Sequence, residues 1–256
     1  MTKKVLAFDL DDTLNVAKTP IAPKMASLLV QLLDKYQLAA ISGQKYEQFI
    51  IQIVDELRRA GATDGQLARL HLFVTQGTRY YRFENGDWQL VYAIDLTDEQ
   101  VTAMTNAVEQ AAKELGYWEE DKLADSDEII ENRISQVTFS ALGQTAGVEA
   151  KYAWDNDMKK RLAIAARAKE LAPDYEYEVA GTTSINVTLP GTNKSLGMNK
   201  LLEQLQVEKS DVLYFGDMTQ PGGNDYPVVA MGFETITVEK WQDTAYALEG
   251  ILGVSD

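Results

Sequence analysis

Short apolar runs, each followed within two residues by a polar residue, constrain the fold of this chain more than any other feature. Three such runs, with the residue or pair that follows each, are Val5–Phe8 with Asp9, Leu38–Ile41 with Ser42, and Val212–Phe215 with Gly216-Asp217. Runs this short and this apolar are typical of strands buried on both faces of a sheet. Amphipathic patterns predict helices over residues 22–36 and 46–57, after the first two runs. Alternation of strand and helix predicts right-handed crossovers and a parallel sheet.

The pattern changes in the middle of the chain. Predicted strands cover residues 72–75, 79–83, 88–94, 135–140, 175–179 and 184–189, and predicted helices cover 97–115 and 155–171. From residue 196 the alternation of helix and buried strand returns. We therefore expect an α/β fold, with a Rossmann-like parallel-sheet core formed by residues 1–93 and 191–256. An α+β cap domain would be inserted at residues 94–190.

Composition limits the available chemistry. The 256 residues contain 39 Asp and Glu against 24 Lys and Arg, a formal charge of −15. This charge disfavours nucleic acid and anionic membrane surfaces as partners, because both would be repelled. The chain has no cysteine and one histidine, His71, so thiol nucleophiles, Cys-ligated zinc and multi-histidine metal sites are excluded. Carboxylates remain as the abundant reactive groups.

No apolar run approaches the roughly 18–20 residues that a membrane-spanning helix needs. The first apolar run, Val5–Phe8, ends at Asp9 and is too short for a signal-peptide core. We therefore expect a cytoplasmic enzyme with no membrane partner.

The first reactive segment is Asp9-Leu10-Asp11-Asp12-Thr13. It follows a buried strand, at the sheet edge where open α/β folds bind ligands. Two carboxylates two residues apart could bind Mg²⁺, and one of them could attack phosphorus while the other transfers protons. A calcium loop is excluded because Leu14 stands where the EF-hand pattern requires glycine. A plain polar turn remains the alternative.

Three further signals lie at strand ends or helix starts. Ser42 could donate its hydroxyl to a phosphate oxygen, although serine-glycine pairs are common in turns. Lys194 precedes the predicted helix at 196, where a cation and a helix N-terminus together favour an anion. The Gly/Pro-rich segment 216–225 brings Asp217, Asn224 and Asp225 into one loop that could surround a metal ion. No Walker-type phosphate loop occurs.

Together these four motifs carry a resemblance. The order Asp-x-Asp-x-Thr, Ser, Lys and Gly-Asp…Asn-Asp resembles the haloacid dehalogenase-like (HAD) phosphotransferase superfamily. An insertion between the Ser and Lys motifs is similar to its Cof-type class IIB members. Residues 216–225 closely resemble the Gly-Asp-x-Thr-x-Pro-Gly-Gly-Asn-Asp loop of eukaryotic-type phosphomannomutases, and the likeness extends over essentially the whole chain.

The resemblance implies a role for each matching residue. Asp9 would be the nucleophile and a Mg²⁺ ligand, and Asp11 would be the acid/base with its backbone carbonyl on the metal. Ser42 and Lys194 would hold the transferring phosphoryl group, and Asp217 would complete the Mg²⁺ site. The same resemblance implies that Asn224 and Asp225 support the metal and Lys194.

The substrate-binding positions depart from the mutase pattern. Arg133 and Ser184 match it, whereas Lys18, Gln144, Lys151 and Asn186 stand where the mutases have Arg, Arg, Arg and Asp. Arginine binds phosphate with two parallel hydrogen bonds, whereas lysine is a point charge and glutamine is neutral. These substitutions predict weaker retention of a bisphosphate intermediate, which favours hydrolysis over mutase activity. The alternative is that Lys18, Arg133 and Lys151 are ordinary surface charges.

The predicted function is a Mg²⁺-dependent phosphohydrolase that acts on a small phosphorylated metabolite, a sugar phosphate, through an aspartyl-phosphate. One alternative is a phosphomannomutase with a hexose bisphosphate activator. Another is a catalytically silent sugar-phosphate binder, which would not need both Asp9 and Asp11. The resemblance also implies that the protein could form a homodimer through the cap domain.

Overall fold

A computed structural model of the chain describes residues 3–123, 127–143, 145–180 and 182–254. The chain forms two compact units. The first consists of Met1–Ala93 with Asn193–Asp256, and the second consists of Ile94–Thr192. The first unit is therefore built from both ends of the chain.

The first unit contains seven of the described strands and seven of the described α-helices. Its strands are β1 (Val5–Phe8), β2 (Gln37–Ile41), β3 (Leu70–Val74), β4 (Arg79–Glu84), β5 (Asp87–Ala93), β10 (Val212–Gly216) and β11 (Glu234–Thr237). Its α-helices are α1 (Pro23–Leu33), α2 (Tyr46–Phe49), α3 (Asp55–Arg59), α4 (Asp64–Leu67), α8 (Lys194–Leu205), α9 (Tyr226–Ala230) and α10 (Trp241–Val254). A π-helical segment, Ile50–Val54, joins α2 to α3.

Among the described residues these strands form one seven-stranded sheet, in the order β11-β10-β1-β2-β3-β4-β5. The strands from β11 to β3 pair in parallel, whereas β4 and β5 are antiparallel additions at one edge. β1 lies between β10 and β2, with Phe8 beside Phe215 on one side and Ala40 on the other. All four residues of β1 are buried, as its unbroken apolar sequence predicts.

The second unit contains its own sheet and helices. Its strands are β6 (Ile130–Asn132), β7 (Val137–Ser140), β8 (Glu176–Ala180) and β9 (Ser184–Thr188), and its α-helices are α5 (Asp98–Glu114), α6 (Val148–Asp155) and α7 (Lys159–Leu171). Within the described part of the chain the strands form an antiparallel sheet in the order β6-β7-β9-β8. Its apolar core includes Phe139 and Ile185 from the sheet and Val108 and Ile164 from the helices. The α/β fold class predicted from the sequence is confirmed.

Two predicted helix boundaries were wrong for identifiable reasons. The helix expected from residue 196 begins at Lys194, because the Asn193 side chain accepts a hydrogen bond from the Ser195 N–H and caps the helix there. The helix expected over 155–171 begins only at Lys159, because Asp155 is the last residue of the preceding helix α6 and the two helices are separated at Met158, whose φ is 61°. Asp155 ends the first helix, and its carboxylate accepts hydrogen bonds from backbone N–H groups at the start of the second. In the described residues no helix is long and apolar enough to cross a membrane.

Two glycines allow helix α8 to approach the end of β3 closely. Gly77 follows β3 with a φ of 87°, and a Cβ atom built there would lie 2.6 Å from the Gly197 backbone nitrogen. No side chain fits between backbones this close. The pair therefore fixes the position of the helix that begins with Lys194.

We expect Gly77→Ala to lower the free energy of unfolding by at least about 2 kcal/mol more than Gly86→Ala, because overpacking against backbone adds to the cost of positive φ. Gly86 is a matched control, since its φ is 85° and a Cβ atom there would meet nothing within 4 Å. Urea unfolding of both variants measures the difference. Equal losses would show that the contact with Gly197 is not tight.

Candidate functional site

The carboxyl ends of the parallel strands bring the sequence-predicted residues of the first unit to one edge of the sheet. The Asp9 N–H donates to the Phe215 carbonyl at 2.9 Å, which extends the pairing of β1 with β10 toward Asp217. The Ser42 N–H donates to the Phe73 carbonyl at 3.2 Å, which does the same for β2 and β3. Residues far apart in sequence therefore meet where α/β folds bind ligands.

A buried ion network occupies this edge. The Lys194 ammonium donates to Asp9 Oδ1 at 2.5 Å and to Asp225 Oδ1 at 2.6 Å, and its side chain is fully buried. The Tyr214 hydroxyl also donates to Asp225 Oδ1, at 2.5 Å, and the Met218 N–H donates to Asp225 Oδ2 at 3.0 Å. Each charge in the network thus has an opposite charge or a hydrogen-bond donor beside it, as burial of charge requires.

Gly216 makes room for this network. A Cβ atom at Gly216 would lie 2.6 Å from the Asp225 carboxyl carbon and 2.9 Å from the Tyr214 ring. The carboxylate of Asp225, at the end of the loop 216–225, can therefore pack against β10, the strand that leads into this loop. The φ of Gly216 is not positive, so its backbone conformation does not call for glycine. Glycine is required here because a side chain would collide with Asp225 and Tyr214.

Burial and mutual repulsion shift the ionisation of the acidic residues. Burial raises the pKa of Asp9 to about 8, and the attraction of Lys194 offsets only part of this effect. Burial, followed by repulsion from Asp225, raises the pKa of Asp217 to about 6. Burial alone would lower the pKa of Lys194, but Asp9 and Asp225 outweigh it and raise that pKa. The site therefore holds more carboxyl groups than its one buried ammonium can neutralise.

The donor set fits a hard divalent cation. Asp9, Asp217 and Asp225 each offer a carboxylate oxygen, and these oxygens lie within 4.8 Å of one another. The Asn224 side-chain oxygen is buried and has no hydrogen-bond partner among the described residues. A cluster of three carboxylates, with an unpartnered buried acceptor on the residue that precedes Asp225, suits Mg²⁺, which prefers oxygen ligands. Because both Asp225 oxygens already accept hydrogen bonds, Asp225 is better suited to anchor Lys194 than to bind a metal directly.

Asp11 and Ser42 belong to loops at the same edge. The half-buried Asp11 carboxylate accepts hydrogen bonds from the Lys18 N–H and from the Gln44 side-chain amide, each at 2.7 Å. Ser42 is buried, and its hydroxyl oxygen accepts from the Gln44 N–H at 3.3 Å. The hydroxyl hydrogen of Ser42 takes no part in that bond, so the hydroxyl can still donate a hydrogen bond to another acceptor, such as a phosphate oxygen.

The residues predicted to bind the substrate are distributed over both units. Lys18 belongs to the first unit, and its side chain is exposed. In the second unit the Arg133 guanidinium donates to Glu131 at 2.8 Å, and the Ser184 hydroxyl lies 2.9 Å from that of Ser140. Lys151 lies on α6.

The other two positions predicted to bind the substrate are Asn186 and Gln144. The Asn186 side-chain oxygen accepts from the Gln136 amide at 2.9 Å and from the Thr138 hydroxyl at 3.2 Å. Gln144 lies outside the described residues.

Sequence reasoning missed three polar residues of these sites. Tyr214 lies in an otherwise apolar strand. A buried tyrosine hydroxyl usually has a hydrogen-bond partner, so this residue could have indicated a buried polar group nearby. Gln44 contacts Asp11 although 33 residues separate them, and no sequence pattern indicates that contact. Gln136 is buried, and its side-chain oxygen has no partner among the described residues.

His71 is held within the fold. Its ring nitrogens lie 2.8 Å from the Tyr80 hydroxyl and 3.0 Å from the Gln37 side-chain oxygen. Burial lowers the pKa of His71 to about 3, so the ring is neutral at ordinary pH. These contacts support a structural role for the only histidine.

We expect the thermal shift caused by MgCl₂ to be larger at pH 8 than at pH 6. Without metal, folded Asp9 and Asp217 hold protons that the unfolded chain has already released. The free energy of unfolding therefore falls as pH rises from about 4 toward 8. A divalent cation must displace these protons, so its affinity rises over the same interval.

Thermal unfolding with and without MgCl₂ at pH 6, 7 and 8 measures this effect. Asp217→Asn should reduce the shift, whereas the exposed Asp64→Asn should not. An Mg²⁺ shift that is independent of pH would contradict the prediction.

Comparisons with known proteins agree with this geometry. A family model described as haloacid dehalogenase-like hydrolase matches residues 6–229. A probable phosphomannomutase of Caenorhabditis elegans is 24% identical, with 98% of this chain and 96% of the relative covered. Among solved structures, a C-terminally truncated IMP-nucleotidase of Plasmodium falciparum superposes with a TM-score of 0.75 at 17% identity, covering 99% of this chain and 72% of that one. A haloacid dehalogenase-like hydrolase of Bacteroides thetaiotaomicron gives 0.64 at 15% identity, covering 98% and 100%.

The two structural likenesses show a shared fold. The resemblance to the HAD superfamily and to phosphomannomutases, predicted from the motifs, is confirmed by the family match and the curated relatives. The chain belongs to the haloacid dehalogenase-like hydrolase family, and it is an enzyme of the phosphatase or phosphotransferase type.

Proposed function

We propose that this protein is a Mg²⁺-dependent phosphohydrolase that removes the phosphoryl group from a small sugar phosphate. The observation that carries the proposal is the buried contact of 2.5 Å between Lys194 and Asp9 at the end of β1. A carboxylate and an ammonium held together at a ligand-binding edge suit an anionic substrate, because the cation offsets the repulsion between carboxylate and phosphate.

The first half of the reaction transfers the phosphoryl group to the protein. An Asp9 carboxylate oxygen attacks phosphorus, and the bond between phosphorus and the leaving sugar oxygen breaks. Asp11 gives its proton to that oxygen, so the sugar departs as a neutral alcohol. Lys194 and the Ser42 hydroxyl hold the phosphoryl oxygens during the transfer. The products of this half are the free sugar and an aspartyl-phosphate at Asp9.

Asp9, the Asp11 backbone carbonyl and Asp217 would hold Mg²⁺, with Asn224 and Asp225 supporting the metal and Lys194. When bound, the ion supplies positive charge that neutralises the phosphoryl oxygens. Asp9 and Asp217 belong to the group of acidic side chains whose oxygens lie within 4.8 Å of one another, which supports their part in this assignment.

The second half returns the enzyme to its starting state. Asp11, now a carboxylate, takes a proton from a water molecule as the water oxygen attacks phosphorus. The bond between phosphorus and Asp9 breaks, and inorganic phosphate leaves. Asp11 is then protonated again and ready to act as an acid.

Six residues are proposed to select the substrate: Lys18, Arg133, Gln144, Lys151, Ser184 and Asn186. Lysine or glutamine at three positions where phosphomannomutases have arginine weakens the hold on a second phosphate. The pairing of Arg133 with Glu131 reduces its attraction for anions further. A mutase must keep a bisphosphate intermediate bound between two transfers, whereas a phosphatase releases its product. These features therefore support hydrolysis.

Phosphomannomutase activity is the second candidate. Curated relatives in animals and plants carry that name at 22–24% identity. The catalytic steps on Asp9 and Asp11 would be the same, with a sugar hydroxyl in place of water. A cytoplasmic location and a homodimer formed by the second unit stay predictions, and analytical ultracentrifugation tests the dimer.

We expect the purified protein with Mg²⁺ to release inorganic phosphate from mannose 1-phosphate whether or not glucose 1,6-bisphosphate is present. The reason is that water can accept the phosphoryl group without an activator. Phosphate release and mannose 6-phosphate formation are measured in parallel. Formation of mannose 6-phosphate only with the bisphosphate would establish the mutase instead, and inactivity toward a panel of phosphate esters would favour a binding protein.

We expect Asp9→Asn to lower turnover by about 10³-fold or more, because an amide cannot form the aspartyl-phosphate. The control is Asp64→Asn, which removes an exposed carboxylate from α4 and should keep activity near that of the unchanged protein. Circular dichroism confirms that both variants fold. Substantial turnover by folded Asp9→Asn would refute the assignment of the nucleophile.

A further inference from the structure

The Asp11 carboxylate is held from two sides. The backbone N–H of Lys18 donates to Oδ1, and the side-chain amide of Gln44 donates to Oδ2, each at 2.7 Å. Lys18 belongs to the same loop as Asp11, whereas Gln44 follows β2 and is separated from Asp11 by 33 residues. The Gln44 hydrogen bond therefore connects the loop after β1 to the end of the neighbouring strand.

Gln44 is itself fixed by its backbone. Its N–H donates to the Ser42 hydroxyl oxygen at 3.3 Å, and its carbonyl accepts from the Thr75 N–H at 3.0 Å. Thr75 and Gln76 follow β3 with φ of 46° and 62°, which is uncommon for residues other than glycine. This turn is buried, and the backbone of Gly197 in α8 packs closely against it, next to Gly77. The amide that reaches Asp11 thus extends from a loop anchored to the sheet.

We propose that Gln44 is a positioning residue for Asp11, which orients the carboxyl group for protonation of the leaving oxygen. This inference rests on the proposed function, in which Asp11 is the acid. An aspartate side chain has two rotatable bonds, and one backbone donor fixes only one of its oxygens. A second donor on the other oxygen fixes the plane of the group, and correct orientation of a reacting group lowers the barrier.

The hydrogen bond also changes in strength during the reaction. As the proton moves from the Asp11 carboxyl group to the leaving oxygen, the bond between phosphorus and that oxygen breaks and Asp11 becomes a carboxylate. A hydrogen bond to an ionised acceptor is about twice as strong as one to a neutral acceptor. The Gln44 amide therefore stabilises the transition state more than the bound substrate, which is the condition for a catalytic effect.

Neighbouring glutamines do not share this contact. Gln52 is buried on the π-helical segment, where its side-chain oxygen accepts from Asn15 at 3.0 Å. The Gln52 amide donates to the Gln48 side chain at 3.1 Å. Gln48 is half-buried like Gln44 and one turn further along the chain, so it offers a matched control.

The test compares leaving groups. A hexose 6-phosphate has a strongly basic leaving oxygen that needs a proton, whereas p-nitrophenyl phosphate has a weakly basic one that departs without it. The value of kcat/KM covers steps up to release of the leaving group. We expect Gln44→Leu to lower kcat/KM about 10- to 100-fold for the hexose phosphate, the size of a lost hydrogen bond to a charged group. The value for p-nitrophenyl phosphate should change little.

The variants separate the possible outcomes. Gln44→Glu keeps the size of the side chain but replaces the amide donor by a carboxylate, so it should lower the ratio of the two kcat/KM values at least as far as Gln44→Leu, whereas Gln48→Leu should leave that ratio unchanged. An equal loss for both substrates with Gln44→Leu would overturn the inference, because a merely structural or phosphate-binding residue acts on both.

The variant Asp11→Asn distinguishes a wrong positioning role for Gln44 from a wrong proposed function. If Asp11→Asn shows no selective loss with the hexose phosphate, Asp11 is not the acid and the proposed function is wrong. If Asp11→Asn shows that loss and Gln44→Leu does not, only the positioning role fails.

Discussion

The contact of Lys194 with Asp9 and Asp225 is the interaction on which the rest of the site depends. An ammonium with no solvent exposure is costly unless opposite charges and hydrogen bonds surround it. Here the two carboxylates lie 2.5 and 2.6 Å away, and removal of one partner would leave a buried charge uncompensated. The network draws on the first strand, the start of α8 and the loop after β10. Formation of the site and folding of the first unit are therefore one event.

The parallel sheet supplies the geometry that this interaction needs. β1 lies between β10 and β2, so the residues that follow these strands emerge side by side. The close approach of Gly77 to Gly197 then sets how near α8 comes to the sheet. A strained turn after β3 supports both that contact and the loop that carries Ser42 and Gln44. The side chains of the site are thus positioned by backbone contacts between elements that are distant in sequence.

Charge acts differently at the surface and at the site. The formal charge of −15 describes an acidic surface, whereas the site places a buried cation among its carboxylates. Burial keeps the pKa values of Asp9 and Asp217 raised, which means that the acidic cluster is not stable as a set of free anions. Lys194 offsets part of this repulsion, and a divalent cation bound by the same carboxylates would offset more of it. The proposed phosphate-ester substrate, which is an anion, would then meet less repulsion at this edge of the sheet.

The sequence by itself determined the fold class and pointed to the HAD family. Unbroken runs of mainly apolar residues identify β1 and β10, because a strand buried on both faces presents most of its side chains to an apolar core. The motif order along the chain carries the family resemblance. Helix limits near Lys194 and Asp155 were decided by capping side chains, whose effect depends on local conformation. Only the tertiary structure decided that Tyr214 donates to Asp225 and that Gln44 reaches Asp11. Such contacts join residues distant in sequence through side-chain conformations that packing fixes, and no periodicity or spacing records them.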